Sequence, residues 1–181
     1  MTRLKPVAAV AALALATTIA SIGSAGAVIG TGTVTNRSYG LCLDAIDDPT
    51  HNPAVPGDGV QLWTCHVGAT NQSWTFNAAP GKWGSVKNGY GLCLDARSDA
   101  PYNPSNPGDV VWLWTCNGSS QQLWQTFDYF GDGSYYVLVN GAGNHLVLDA
   151  RDDAAWNPTR DGDPVQLYTE RDQDNQLFTI P

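Results

Sequence analysis

Residues 40–65 read GLCLDAIDDPTHNPAVPGDGVQLWTC, and this stretch returns twice along the chain. Residues 91–116 read GLCLDARSDAPYNPSNPGDVVWLWTC, and residues 146–170 read LVLDARDDAAWNPTRDGDPVQLYTE. A similar tail follows each stretch, with NQSW at 71–74, QQLW at 121–124 and NQLF at 175–178. Three copies with a period of roughly fifty residues predict one body built from three equivalent units.

The internal spacing of the three repeats is constant. Each repeat opens with an Asp, followed by an Asn eight residues later, a second Asp fourteen residues later and a Gln or Trp seventeen residues later. In chain order these positions are Asp44, Asn52, Asp58 and Gln61, then Asp95, Asn103, Asp109 and Trp112, then Asp149, Asn157, Asp163 and Gln166. Chance would not hold three spacings in three copies, so these positions define the alignment of the repeats.

Short strands are the expected secondary structure. Residues 41–44 and 60–63 alternate bulky and polar side chains and are bounded by Gly, Pro, Asn and Asp, which is typical of strands joined by turns. No stretch after residue 27 shows a sustained helical period. The class is therefore all-β. Because short strands leave exposed edges, we expect them to close into one barrel-like body.

The first residues have the pattern of a signal peptide. Arg3 and Lys5 precede an apolar run over residues 7–20, and the small residues AGA occupy 25–27. The run is shorter than the roughly 20 apolar residues that span a bilayer, so membrane insertion is not expected, and an N-terminal anchor is the alternative. We expect residues 1–27 to be removed and the protein to be secreted. Residues 28–181 then form one domain, with repeats at roughly 28–81, 82–130 and 131–181.

The chain is acidic. It has 9 Lys and Arg against 17 Asp and Glu, and removal of Arg3 and Lys5 leaves 7 against 17, a net charge of −10. An acidic surface repels phosphate backbones, so nucleic acid is excluded as a partner. A neutral partner such as a sugar or polysaccharide fits better, and we expect a monomer.

All four cysteines lie within the repeats, and an even count in a secreted chain favours disulfides. Four cysteines allow three pairings. Cys42 and Cys65 are 23 residues apart, however, and so are Cys93 and Cys116. Because equivalent positions in equivalent repeats pair equivalently, we predict Cys42–Cys65 and Cys93–Cys116 bridges.

The third repeat departs from this pattern. It has Val147 and Glu170 at the bridge positions, so it is predicted to lack a disulfide. Zinc ligation is the alternative use of the cysteines, but there is no Cys-x-x-Cys pair and the three histidines are scattered. We therefore expect no metal site and no cofactor.

The Q-L-W, Cys and N-Q-x-W elements that follow a C-L-D segment resemble the ricin-B-type lectins, also called Q-x-W repeats or family-thirteen carbohydrate-binding modules. The resemblance covers all of residues 28–181. It implies a β-trefoil, with three pseudo-symmetric repeats of four strands each about a threefold axis. It also implies one shallow sugar pocket per repeat, built from the Asp of C-x-D, the aromatic residue of Q-L-W and the Asn of N-Q-x-W.

The resemblance implies three sets of carbohydrate-binding residues. The first repeat supplies Asp44, Gln61, Trp63, Asn71 and Gln72. The third repeat supplies Asp149, Gln166, Tyr168, Asn175 and Gln176. The second repeat supplies a set predicted to bind more weakly, Asp95, Trp112, Trp114, Gln121 and Gln122. There Trp112 replaces a Gln, and Gln121 replaces the Asn with one more methylene group.

These residue types suit a sugar. The C–H face of a sugar ring packs on an aromatic ring and buries apolar area. An ionised Asp accepts charge-assisted hydrogen bonds from hydroxyls, whereas an Asn amide both donates and accepts. One ring, one carboxylate and one amide are therefore enough to orient a monosaccharide.

Several residues also have a structural interpretation. The aromatic residues of the tails, Trp74, Trp124 and Phe178, are predicted to fill the core and not to bind sugar. Gln72, Gln122 and Gln176 alternatively support the Asp without touching sugar. Trp63 alternatively packs on the surface, and each first Asp alternatively caps its own turn.

A Pro-rich loop between the first Asp and the Gln of each repeat departs from the family pattern. It contains Asn-Pro and Gly-Asp in all three copies, and a ring precedes each Asn, at His51, Tyr102 and Trp156. We expect this loop beside the pocket. One hypothesis is that it adds a wall that changes which sugar fits, and the other is a rigid turn in which Asn and Asp bond to the backbone. Calcium binding is a third interpretation, but the dense D-x-D-x-D spacing is missing.

Catalysis is not expected. A glycosidase needs two carboxyl groups in unlike environments, whereas Glu170 is the single Glu and the Asp residues mostly recur in threefold copies. No Gly-x-Ser-x-Gly motif is present. The sequence thus predicts a non-catalytic lectin with two or three sites. The alternatives are a protein-binding or protease-inhibiting β-trefoil, and a glycan-targeting subunit of a separate glycoside hydrolase or toxin. The sequence does not specify which sugar is bound.

Overall fold

The computed structural model describes residues 30–47, 50, 52, 54–99, 101, 105–152 and 160–181. The predicted signal peptide lies outside this part of the chain, as do the loop residues His51, Tyr102, Asn103, Trp156 and Asn157. The interpretations that rest on these residues remain predictions.

The described residues form short β-strands and three single 3₁₀ turns, and they contain no α-helix. The strands are β1 Gly30–Gly32, β2 Cys42–Ala45, β3 Val60–Trp63, β4 Trp74–Phe76, β5 Trp83–Gly84, β6 Val86–Asn88, β7 Cys93–Ala96, β8 Val111–Trp114, β9 Trp124–Asp128, β10 Tyr136–Asn140, β11 Leu146–Ala150 and β12 Asp163–Thr169. The turns are Thr70–Gln72, Ser120–Gln122 and Asp174–Gln176. The all-β prediction is confirmed. In the part of the chain described here, no helix has the length and apolarity needed to cross a membrane.

The strands make two antiparallel sheets, in the orders β1-β4-β6-β7-β8 and β2-β3-β12-β11-β10-β9-β5. Each repeat contributes a hairpin with the same register. Asp44 pairs with Gln61, Asp95 with Trp112, and Asp149 with Gln166. The spacing of seventeen residues in the sequence therefore places two pocket positions opposite each other in every repeat.

The repeats close on each other in a ring, because the Gly-Asp turn of each repeat bonds to the second strand of the hairpin of the next repeat. These bonds run from Gly57 N to Leu113 O (2.8 Å), from Gly108 N to Leu167 O (2.7 Å) and from Gly162 N to Leu62 O (2.9 Å). The order is first to second, second to third and third to first. This closure is the pseudo-threefold arrangement of a β-trefoil.

The second Asp of each repeat stabilises that turn. Asp58 accepts a hydrogen bond from Val55 N at 2.6 Å, Asp109 accepts one from Asn106 N at 2.6 Å, and Asp163 accepts one from Arg160 N at 2.7 Å. All three Asp residues are far from fully exposed, and Asp58 and Asp163 are buried. For this half of the loop, the rigid-turn interpretation is confirmed.

The core contains the aromatic residues of the three tails. Trp74, Trp124 and Phe178 are all buried, as predicted. The indole N–H of Trp74 donates to Leu43 O at 2.8 Å, and that of Trp124 donates to Leu94 O at 2.9 Å. Phe178 has no such donor. Six buried leucines from the repeat hairpins complete the centre, Leu43, Leu62, Leu94, Leu113, Leu148 and Leu167.

Two disulfides staple the first two repeats. Cys42–Cys65 and Cys93–Cys116 both form, each with a Cα–Cα distance of 5.1 Å, which confirms the predicted pairing. A bridge that closes a loop of this length contributes about 3 kcal/mol in the chain-entropy model. In the third repeat Val147 is buried and Glu170 is exposed at the equivalent positions.

Candidate functional site

The first pocket is centred on Asp44, which lies in β2. Gln61 in β3 donates its Nε2 to Asp44 Oδ1 at 3.0 Å. The 3₁₀ turn after β3 brings two more amides to the other oxygen, since Asn71 Nδ2 and Gln72 Nε2 donate to Asp44 Oδ2 at 2.8 and 2.9 Å. The predicted residues are therefore brought together, and three amides fix the orientation of one carboxylate.

An aromatic ring lies beside this carboxylate. Trp63 is 36% exposed at the end of β3 and lines a depression of about 480 Å³. The other residues that line it are Asp44, Ile46, Asp47, Gln61, His66, Ala69 and Asn71. The ring, the carboxylate and the amide thus line one open depression.

The third pocket repeats this arrangement. Gln166 Nε2 donates to Asp149 Oδ1 at 2.8 Å, while Asn175 Nδ2 and Gln176 Nε2 donate to Oδ2 at 3.1 and 2.8 Å. Asn175 Nδ2 also donates to Ala150 O at 2.9 Å, and its buried Oδ1 has no partner among the described residues. The same three types of group therefore line a smaller depression of about 260 Å³.

A cation covers the ring of the third pocket. The Arg171 guanidinium lies 4.2 Å from the centroid of the Tyr168 ring and donates to the Tyr168 hydroxyl at 2.7 Å. The first pocket is lined by Trp63 together with residues such as Ile46 and Ala69, and no Lys or Arg is among its described lining residues. The two complete pockets therefore differ in charge near the ring.

The second pocket keeps two of the three hydrogen bonds to its carboxylate, and the third is missing among the described residues. Trp112 Nε1 donates to Asp95 Oδ1 at 3.0 Å, in place of the Gln of the other repeats. Gln122 Nε2 donates to Asp95 Oδ2 at 2.8 Å. Gln121 lines the depression of about 330 Å³, but within the described part of the chain it does not bond to Asp95. Its one side-chain bond is from Ser120 Oγ at 3.3 Å.

In the second pocket, Trp112 also changes the surroundings of the aromatic ring of Trp114. Trp112 stacks on Trp114 with centroids 4.7 Å apart and an angle of 19° between the planes. Arg97 lies 4.9 Å from the Trp112 centroid and pairs with Asp99 at 2.6 Å. One side of Trp114 is therefore in contact with a second indole.

The Gln after each pocket Asn or Gln is buried behind the carboxylate. Gln72, Gln122 and Gln176 each donate to the pocket Asp and to a backbone carbonyl, of Thr64, Thr115 and Thr169 respectively. Each also accepts a backbone N–H, from His66, Asn117 and Arg171. This is the geometry of the supporting role considered for them, because it ties strand, turn and carboxylate together.

Burial raises the pKa of all three pocket carboxyl groups, Asp44, Asp95 and Asp149. The amide and indole donors that bond to them lower the pKa and offset part of this effect. The nearby carboxylates Asp47 and Asp152 further raise the pKa of Asp44 and of Asp149. These groups are therefore protonated at a higher pH than an ordinary Asp.

Three acidic residues of the pockets, Asp47, Asp99 and Asp152, were not predicted from the sequence. Asp47 Oδ1 accepts a hydrogen bond from Asn71 Nδ2 at 3.1 Å, and Oδ2 accepts one from the Tyr90 hydroxyl at 2.9 Å. Tyr90 belongs to the second repeat, so the first pocket is shared between repeats. For Asp47 and Asp152 the sequence does contain a signal. An Asp follows the pocket Asp by three residues in the first and third repeats, whereas Ser98 takes that position in the second.

The Gly-Asp turn of each loop lies beside the pocket of the next repeat. A Cβ on Gly162 would lie 3.7 Å from the Trp63 ring, and a Cβ on Gly57 would lie 3.7 Å from the Trp114 ring. Gly108 lines the third pocket. The positive φ of Gly162, 94°, favours glycine there. In the described ranges, no group of three or more His, Cys, Asp or Glu side chains is placed to hold a metal ion.

Comparisons with known proteins agree with this geometry. The family model described as "Ricin-type beta-trefoil lectin domain" matches residues 30–178, whereas no curated protein sequence matches. The designed threefold-symmetric protein ThreeFoil is similar with a TM-score of 0.67 and 26% identity, over 82% of this chain and 96% of that one. A Macrolepiota procera ricin B-like lectin in complex with lactose is similar with a TM-score of 0.61 and 19% identity, over 86% and 95%.

A larger enzyme also contains a similar domain. The exo-β-1,3-galactanase of Clostridium thermocellum matches with a TM-score of 0.63 and 24% identity, over 81% of this chain but only 29% of that one. Together these structures confirm the β-trefoil prediction.

Proposed function

This chain belongs to the ricin-type β-trefoil lectin domain family, and on that premise we propose that it is a secreted, non-catalytic protein that binds glycans through two or three shallow pockets. One observation carries the proposal. In the first repeat the exposed Trp63 ring, the Asp44 carboxylate and the Asn71 amide line one depression, and the third repeat presents the same trio.

The hydrogen bonds within the first pocket determine which donor and acceptor groups a ligand must supply. A carboxylate has about four acceptor sites, and three amides use three of those on Asp44. Both N–H groups of Asn71 are used by Asp44 and Asp47, which leaves its carbonyl oxygen. The pocket therefore offers acceptors beside a flat ring, and a sugar offers hydroxyl donors beside a C–H face.

The third pocket has the same chemistry around Asp149. The buried Oδ1 of Asn175 lacks a partner among the described residues, and leaving a buried acceptor unpaired costs about 1–3 kcal/mol. Because this atom is buried, a sugar hydroxyl would donate to it and recover part of that cost only after the side chains around it move. When a sugar binds, the Arg171 guanidinium over the Tyr168 ring would either move away or form part of the binding surface.

The second pocket is proposed as the weakest. Its Trp114 ring is stacked on Trp112, and among the described residues Gln121 makes no hydrogen bond to Asp95. We assign Gln72, Gln122 and Gln176 a positioning role, because their amides are buried and already bonded within the protein.

Shallow pockets bind weakly, and several pockets on one rigid body compensate for this. Millimolar affinity corresponds to about −4 kcal/mol. Joining two or three such sites raises the apparent affinity for a multivalent glycan by about 10² to 10⁴. The proposal therefore favours polysaccharide or cell-surface glycan as the partner of a monomeric protein.

A glycan array tests the proposal directly. The wild-type chain is compared with Trp63→Ala, Tyr168→Ala, the double variant, and Asp44→Ala with Asp149→Ala. Asp132→Ala is the matched control, because Asp132 is exposed and, among the described residues, its hydrogen bonds are to Ser134 in its own turn. We expect one class of glycan to be bound by wild type and control and to be lost in the double variants. Equal binding by all folded variants would refute the proposal, and circular dichroism checks that each variant is folded.

A targeting role is a second candidate. The similar domain covers 29% of the galactanase and 17% of a mosquitocidal holotoxin, so such a domain also occurs attached to catalytic or toxic units. In that case the chain brings a separate enzyme or toxin to a glycan. Incubation of the purified chain with a panel of glycosides separates this role from intrinsic catalysis, for which we expect no turnover.

A further inference from the structure

We propose that a fourth depression, outside the three repeat pockets, is an additional subsite for the sugar rings of a glycan. It is called here the boundary groove and is lined by Trp83, Gln125, Phe127, Val139, His145 and Glu170. Its volume of about 430 Å³ lies between those of the first and second pockets, about 480 and 330 Å³. The boundary groove has no counterpart among the three repeat pockets.

Neighbouring strands place the side chains of the groove. Trp83 of β5 pairs with Gln125 of β9, and Gln125 pairs with Val139 of β10. Phe127 lies two residues after Gln125 and therefore projects from the same face of the sheet. Trp83 and Phe127 are 48% and 46% exposed. Two half-exposed rings thus lie on one face at the boundary of the second and third repeats.

The groove lies where the third repeat departs from the other two. In alignment with the pocket Asp, Glu170 takes the position of Cys65 and Cys116. By the same alignment, His145 takes the position of Gly40 and Gly91. In the first two repeats these positions are in contact, because the sulfur of Cys65 lies 3.6 Å from Gly40 O and that of Cys116 lies 3.6 Å from Gly91 O. A carboxylate and an imidazole replace a disulfide and a glycine.

The backbone at His145 is also unfavourable for its residue type. His145 has φ 51° and Asn144 has φ 63°, in the left-handed region, whereas Gly40 and Gly91 adopt φ 65° and 83° without a Cβ. The third repeat therefore lacks both the disulfide and the glycine that the other two repeats have at these positions. Residues with strained backbone conformations cluster at functional sites. This observation is independent of the exposed rings and points to the same groove.

The chemistry of the groove suits a sugar. The rings of Trp83 and Phe127 offer surfaces for C–H faces, and the Glu170 carboxylate offers charged acceptors for hydroxyls. Gln125 Nε2 donates to Gly81 O at 2.6 Å, which fixes the amide and leaves its carbonyl oxygen as an acceptor. Ring, carboxylate and amide are the same three types of group that line the repeat pockets.

The size of the apolar surface argues against a protein partner. A fully buried aromatic side chain covers about 150–250 Å², so two half-exposed rings supply much less than the roughly 800 Å² per partner of a stable interface. A small hydroxylated ring needs no more than this. The groove therefore fits a glycan residue better than a second copy of the chain.

Protein NMR on the isotopically labelled chain tests the inference. The probes are lactose, cellohexaose, xylohexaose and a linear β-1,3-galactan oligosaccharide, added to millimolar concentration. The readouts are the indole N–H signals of Trp83 and Trp63, assigned by their loss in Trp83→Ala and Trp63→Ala. We expect at least one probe to shift the Trp83 signal along a saturating curve. Failure of every probe to shift the Trp83 signal would overturn the inference.

Three variants locate the effect. Phe127→Ala and Glu170→Gln are expected to weaken binding at Trp83 several-fold and to leave the Trp63 response unchanged. The double variant Val147→Cys, Glu170→Cys rebuilds the missing bridge and is expected to abolish the Trp83 response. Phe130→Ala is the control, because Phe130 is 48% exposed and does not line the groove. A Trp83 response that survives all three groove variants would contradict the assignment.

The outcomes separate this inference from the proposed function. A shift at Trp63 without one at Trp83 refutes the groove and leaves the repeat pockets intact. A shift of the Trp83 signal without one of the Trp63 signal supports the boundary groove and refutes sugar binding in the first pocket. A Trp83 shift that depends on protein concentration in the absence of sugar would show self-association and would refute the sugar assignment.

Discussion

Among the side chains placed to bond to the pocket carboxylate, the first and second pockets differ at two equivalent positions, and only one of the two changes breaks the arrangement around the carboxylate. Trp112 stands where the first repeat has Gln61, yet both donors lie 3.0 Å from the Oδ1 of their Asp. Gln121 stands where the first repeat has Asn71, and the bond to the carboxylate is lost. A donor can thus be exchanged for a chemically different one, whereas one extra methylene group removes an amide from the site.

The exchange of Gln for Trp has a second consequence. The Trp112 indole stacks on Trp114 at 4.7 Å, so the ring of the second pocket is part of a pair, whereas Trp63 lines its pocket without a stacked partner among the described residues. Every repeat thus keeps the pocket carboxylate, and the ring and the amide around it determine whether the pocket is complete.

Removing the carboxylate should have the largest effect. In Asp44→Ala three amide donors lose their acceptor, and in Asp95→Ala one amide and one indole do so. We expect each change to lower the free energy of unfolding by about 2 kcal/mol, mainly through the buried Gln, with about 1 kcal/mol more for Asp44→Ala. Urea unfolding measures both values, with Asp132→Ala as control. Equal costs would mean that Asn71 adds nothing to the network.

Removing the ring should have the next largest effect, and it should fall on binding. Covering about 60 Å² of indole by a sugar contributes about 1.5 kcal/mol, or about tenfold in affinity. Trp63→Ala should therefore weaken glycan binding about tenfold, and Trp114→Ala should weaken it much less. Isothermal titration with the glycan found on the array provides the two constants. A larger loss for Trp114→Ala would reverse the proposed ranking of the pockets.

Exchanging the two amides should sharpen the comparison further. Asn71→Gln is expected to weaken the first pocket several-fold, because the longer side chain moves the amide away from Asp44. Gln121→Asn is expected to strengthen the second pocket by a similar factor, since Asn71 and Asn175 bond to their carboxylates at 2.8 and 3.1 Å. NMR shifts of the Trp63 and Trp114 indole signals report each pocket separately. Unchanged binding in both variants would show that the amide does not contact sugar.

The pH dependence of binding should show the smallest difference. Burial raises the pKa of Asp44, and an ionised carboxylate is the form that accepts a hydroxyl, so affinity should fall as pH drops through this raised pKa. The loss of affinity should begin at a higher pH than it would if Asp44 had the pKa of an ordinary Asp, about 3.9. Asp47→Asn removes one cause of the raised pKa and should move the loss to lower pH. An unshifted acid limb in this variant would contradict the assigned role of Asp47.

Local spacing in the sequence was sufficient for most of the fold and for the centre of each pocket. The family resemblance grouped Asp44 with Gln61 in one pocket, where the two residues pair across the hairpin, and the repeated separation of 23 residues predicted both disulfides. The buried Trp74 and Trp124 followed from their place in the tails. These features depend on contacts within one repeat, where turn chemistry and alternation act over short distances.

Contacts between repeats were not predictable in the same way. Tyr90 bonds to Asp47 across 43 residues, and Thr64 bonds to Asp161 across 97 residues. The boundary groove likewise joins β5, β9 and β10 with the hairpin of the third repeat. Such contacts depend on how the repeats rotate about their common axis, and a linear pattern does not specify that rotation.

A crystal structure of the chain with the glycan found on the array would show directly whether the repeat pockets hold sugar. We expect a sugar ring stacked on Trp63, with hydroxyls donating to Asp44 Oδ1 and to the Asn71 carbonyl oxygen. We expect a second sugar at Tyr168, Asp149 and Asn175. A glycan ordered elsewhere on the molecule, with both of these rings free of sugar, would contradict both expectations.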